Sequence, residues 1–130
     1  MNHRFLCSLG ALVTLVFGAG FLVAPGPLLS LYGVTATDAP LMLMSRYFGA
    51  GLVGYAAAMW GFREVQSATV QHRAAAWLAA AQGVGLLVTL EGVLTGTINA
   101  LGWSTVVIYG FFAVAWARLA MGSAATPHPA

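Results

Sequence analysis

FLCSLGALVTLVFGAGFLV, Phe5 to Val23, is 19 residues with no charged side chain, preceded by Asn2-His3-Arg4 and stopped by Ala24-Pro25-Gly26-Pro27. A bilayer core about 30 Å thick needs about 20 apolar residues to cross as a helix, so this stretch reads as a membrane span. A secretory signal has an apolar region of about 7 to 15 residues ending at a small-x-small site, which Gly18-Ala19-Gly20 imitates poorly. The expectation is therefore a retained helix. The same pattern recurs along the chain. A second run goes from Leu41 to Phe62 with Arg46 inside it, a third from Ala74 to Thr95 with Gln82 and Glu91, and a fourth from about Trp103 to Arg118.

The whole chain agrees with that reading. Of 130 residues 60% are hydrophobic and 6% charged, and the mean hydropathy is +0.86, far from soluble globular usage. Four spans with short connections nearly exhaust this length, leaving no room for a second domain. The expected fold is all-α: a four-helix membrane domain over 1–122, with helices at about 5–23, 41–62, 74–95 and 103–119, followed by a disordered tail at 123–130. Between the first two spans, Leu28 to Gly33 is too short to cross and reads as an interfacial turn of helix ending at Gly33. Asp38 is placed to cap the next helix, with Pro40 in its first turn.

Orientation follows from the five arginines, since the chain has no lysine. Arg4, Arg63, Arg73 and Arg118 fall at the N-terminus, at the two ends of the 63–73 connection and after the fourth run. The connections at 24–40 and 96–102 carry none. The positive-inside rule then predicts both termini in the cytoplasm. Trp60, Trp77 and Trp116 fall near the inner face, and Tyr32 and Trp103 near the outer one, as aromatic belts require. The expected location is a cytoplasmic membrane, crossed several times.

Little chemistry is on offer. There is no catalytic motif and no Gly-rich phosphate loop, and three acidic residues in all give no paired carboxylates, so no catalytic, cofactor or metal site is expected. His3, His72 and His128 lack metal-ligand spacing and read as solvated surface residues. Cys7 has no partner for disulfide chemistry and reads as a small apolar residue near a membrane face. The scattered arginines form no basic stripe, which speaks against nucleic acid.

What remains is a charged constellation. Counting at 1.5 Å per residue puts Arg46 roughly 9 Å below the outer end of its helix and Glu91 roughly 25 Å above the inner end of its own, so both fall in the outer half. An unpartnered charge there is costly, so either the two pair, with Asp38 as a competing partner and Tyr47 nearby, or both reach up to the headgroups. A hydrogen bond between Thr14 and Gln82 near mid-membrane is a further expectation. Small residues recur every four positions at Gly10, Thr14 and Gly18, at Ala50, Gly54 and Ala58, at Ala75, Ala79 and Gly83, and at Gly92 and Gly96. Such steps allow close helix packing within one chain or across a homodimer.

The segment Arg46-Tyr-Phe-Gly-Ala-Gly-Leu-Val-Gly-Tyr55, followed by Trp60 and Arg63, resembles the second-helix signature of DoxX-like and related small bacterial four-helix membrane proteins. Arg46, Gly49, Ala50, Leu52 and Gly54 carry the motif, and Pro-Leu-Leu-x-Leu-Tyr-Gly at 27–33 extends the likeness. Such families are mostly of unknown function, and some members are similar to accessory subunits of quinone-linked respiratory complexes. The resemblance thus implies a four-helix fold in the bacterial inner membrane. The small-residue faces and the lack of catalytic residues lead to the expected role, a non-catalytic accessory subunit or a module holding a lipid or small molecule, with membrane lipid and another membrane protein or a second copy as partners. The alternative from a different class is a homodimeric transporter using Glu91 as coupling carboxylate.

Overall fold

The computed structural model describes residues 2–35 and 38–122, and every ordered element in it is helical. α1 runs His3–Val23, α2 Pro25–Leu31, α3 Ala39–Phe62, α4 Ala68–Leu94 and α5 Gly102–Met121. The expected tail at 123–130 lies outside the described residues.

Each helix starts and stops for local reasons. The Asn2 side chain accepts from the Phe5 N–H and opens α1 at His3. Pro25 and Pro27 sit in the first turn of α2, where missing N–H groups leave no intrahelical bond unmade. That short helix ends at Gly33, whose φ of +83° is the left-handed conformation a side chain resists. The Asp38 carboxylate accepts from the Leu41 N–H at 2.9 Å and opens α3. Ser67 caps α4 through Val70, and Gly96, with φ +73°, turns the chain out of it.

The four long helices pair as two antiparallel hairpins. α1 packs closely on α3, and α4 on α5. Between hairpins the backbones stand further apart, and side chains fill the space: Leu6, Cys7 and Ala11 of α1, Met59 of α3, Ala75 of α4, and Phe112 and Trp116 of α5 form one core. The tightest backbone approach is in the first hairpin. A Cβ on Gly49 would lie 2.8 Å from the Gly18 carbonyl oxygen and 2.9 Å from the Leu22 nitrogen, so only glycine permits this crossing.

Outside that core the surface is apolar. Leu12, Val16, Val84, Leu87, Val107 and Val114 are all exposed, as suits helices that face hydrocarbon rather than water. α1, α4 and α5 are long and apolar enough to cross a membrane. α3, at 24 residues, has the length but carries Arg46.

Candidate functional site

The two ends of the molecule are held differently. At the arginine-bearing end, Arg4 at the start of α1 and Arg63 at the end of α3 both pair with Glu64, and the Arg63 guanidinium lies 3.9 Å over the Trp60 ring. The two cations, Arg4 foremost, hold the Glu64 carboxyl below its ordinary pKa. At the opposite end, Asn99 ties the α4–α5 connection to α2. Its backbone N–H donates to the Tyr32 carbonyl at 2.9 Å and its side-chain amide to the Leu31 carbonyl at 2.8 Å. Tyr32 and Thr105 join their hydroxyls at 2.8 Å beside it.

Inside, just above the Glu64 cluster, lies a small polar set that the sequence did not announce. His3 is buried rather than solvated: its Nε2 is 3.0 Å from the Phe62 carbonyl oxygen, and its ring meets the Phe62 ring edge-on at 4.6 Å. Cys7, one turn further along α1, is fully buried with its sulfur 3.7 Å from the same imidazole nitrogen. Trp116 completes the wall, its Nε1–H without a hydrogen-bond partner among the described residues. Asn2, a capping residue, signals that α1 starts at His3, two positions before the apolar run; which face His3 takes is set by the packing of α1 against Phe62 and Trp116.

Deeper in the core, Gln82 is 8% exposed and donates from Nε2 to the Tyr55 hydroxyl at 3.4 Å. The expected partner, Thr14, instead donates to the Gly10 carbonyl of its own helix at 2.7 Å, the usual outlet for a hydroxyl whose helix leaves a carbonyl one turn back. The Tyr55–Gln82 contact reaches from α3 to α4 and shows their relative register.

That register locates the charged constellation. Arg46 is nine residues toward the opposite end from Tyr55, and Glu91 is nine residues in the same direction from Gln82. Because α3 and α4 are antiparallel, each charge stands about 13.5 Å from the bridge, at the same level. Nine residues are also two and a half turns, so each charge lies on the face opposite the bridging side chain. Both are accordingly exposed, and no ion pair joins them among the described residues. Asp38 serves as a helix cap, and Tyr47 is 62% exposed beside Arg46.

The small residues divide in the same way. Gly10 and Gly18 are buried in the first hairpin, Gly92 lies against Ile98, and Gly96 makes the turn after α4. Ala50 and Gly54 lie on the outer face of α3, and a Cβ on Gly54 would meet nothing within 4 Å. Two close approaches fall elsewhere: Gly85 lies against the Tyr109 ring, and Gly102 against Val93 and Ile98.

No protein family, curated protein or solved structure matches the chain.

Two concavities flank α5, the larger, of about 790 Å³, lined by Val107, Gly110, Phe111, Val114, Arg118 and Leu119. Between α1 and α5, where the hairpins stand apart, Leu9, Val13, Val107, Ile108, Phe111 and Phe112 line an open groove of about 250 Å³. Every lining group is hydrocarbon. Such a groove has no means of orienting a polar substrate, and among the described residues no cluster of His, Cys, Asp and Glu is arranged to hold a metal.

Proposed function

We propose that the chain is a non-catalytic, multi-pass protein of the bacterial inner membrane, crossing it four times with both termini cytoplasmic and holding a lipid-like ligand or supporting a membrane partner. The lateral groove between α1 and α5 carries this reading. It opens on the same surface as the exposed apolar faces, and its lining of Leu, Val, Ile and Phe suits an acyl or prenyl chain. The polar groups inside support a structural rather than a catalytic use, since Gln82, Tyr55 and His3 are occupied with one another and with the backbone.

The fourth span in this reading is α3. Its single charge, Arg46, lies seven residues from its start, close enough for the guanidinium to reach headgroups or an acidic partner. The arginine-bearing end then faces the cytoplasm, in keeping with the positive-inside rule. The likeness to DoxX-like proteins points the same way.

Gentle extraction followed by native mass spectrometry tests the proposal. Either a bound lipid or a stoichiometric second polypeptide is expected, and Val13→Trp, which fills the groove, should release the lipid. A bare chain, free of both under conditions that keep it folded, overturns the proposal.

A further inference from the structure

We infer that two copies of this chain dock through the outer faces of α3 and α4, with Arg46 of each protomer paired to the partner's Glu91. The inference rests on the four-span reading, which places both residues within the apolar thickness.

Arg46 and Glu91 are opposite in sign, exposed, and level with each other, yet each points away from the Tyr55–Gln82 bridge that joins their helices. The fold therefore brings two complementary charges to one height while presenting both outward. An ionised side chain in hydrocarbon needs a counter-charge, water or headgroups. A second copy supplies a counter-charge for both at once.

The charges also select the arrangement. Two copies inserted in the same sense relate by a two-fold axis along the membrane normal, and such an interface uses the same patch twice. Setting α3 against the partner's α3 would oppose arginine to arginine, and α4 against the partner's α4 would oppose carboxylate to carboxylate. Only α3 against the partner's α4, repeated by the two-fold axis, pairs them, and equal height makes both pairs form together.

The surface beneath permits close approach. Below Arg46 and within about 80° of it around α3 lie Ala50, Gly54 and Gly61, all exposed, and a Cβ added to either glycine meets nothing within 4 Å. On α4, Ala80, Val84, Leu87 and Val88 are exposed below Glu91. A shallow face on one helix thus opposes a ridge of larger side chains on the other, which is how helices associate where no hydrophobic effect drives them.

The test is a charge swap read as oligomeric mass of the full chain in lipid nanodiscs, with reporter fusions at both termini and in each connection scored on the same variants. The wild type is expected as a dimer. Arg46→Glu and Glu91→Arg should each weaken dimerisation about tenfold or more, the usual scale for like charges opposed across an interface. The double swap should restore it. The milder Arg46→Gln keeps the test open should a reversal impair insertion, and it too should loosen the dimer. A monomeric wild type with four-span fusion signals overturns the pairing, as does a dimer indifferent to the single variants or a different polypeptide seated on this face. Fusion signals that deny four spans overturn the topology instead, and the dimer with it.

Discussion

Gly49 is the position where the backbone geometry is least forgiving. An added methyl there would meet the Gly18 carbonyl and the Leu22 nitrogen, both main-chain atoms that cannot swing aside. Gly49→Ala should therefore destabilise by about 1–3 kcal/mol, the usual cost of overpacking, as a fall in thermal midpoint in detergent. Gly54→Ala, whose methyl meets nothing within its own chain, should not lower the midpoint of the detergent-separated monomer, and the better helix propensity of alanine should raise it slightly. Glu64 makes a pH prediction. Arg4 and Arg63 depress its folded pKa, so its contribution is present above the unfolded value and lost as pH falls through the folded one. Melting curves taken across the acidic range should show the wild type losing its advantage over Glu64→Gln as the carboxylate protonates; a pH-independent difference would refute the assignment. Asn99 ties its connection to the end of α2 through two hydrogen bonds, and its side-chain oxygen accepts a third from the Leu101 N–H of the same connection; Asn99→Ala, which removes the two side-chain bonds, should cost about 1–2 kcal/mol in the same assay.

Helices were the most legible part of the sequence, because each long apolar run is bounded by a residue with a physical reason to stop or start it. Asp38 could be read as a cap from its place before Pro40, and Gly33 as a stop from its place after Leu31-Tyr32. Replacing Asp38 by Ala should loosen the start of α3 by about 1 kcal/mol, seen as faster amide exchange at Leu41 and its neighbours. Other boundaries were harder. α4 begins at Ala68, six residues before the apolar run, because Ser67 caps it and nothing in Thr69-Val70-Gln71-His72-Arg73 breaks a helix. Hydropathy marks what lies in lipid, whereas capping marks what is helical, and the two need not coincide. α2 similarly starts at Pro25 rather than Leu28, since proline in a first turn reads as a breaker by composition but fits the helix start by geometry.

At the scale of the molecule, depth could be counted along each helix but facing could not. Counting put Arg46 and Glu91 at similar height. Their outward direction depends on which faces α1 and α5 cover, and that is decided by Gly49 and Gly85, residues no different in kind from the exposed Ala50 and Gly54. The polar core was hidden for a related reason: His3 and Gln82 lie 79 positions apart, and only the folded bundle brings both inside.

The pairing of α1 with α3 and of α4 with α5 bears on how the chain is made. The first hairpin completes its tight glycine crossing using only residues up to Phe62, before α4 has been synthesised, and the second closes on contacts within 68–121. On the proposed four-span reading, membrane insertion proceeds in two instalments, each delivering a closed pair of helices, with the core between hairpins assembled last. Cutting the gene within the connection at Val65-Gln66 and expressing both pieces together should yield a complex that co-purifies and melts as one, whereas either piece alone should be cleared by the quality-control proteases of the cell.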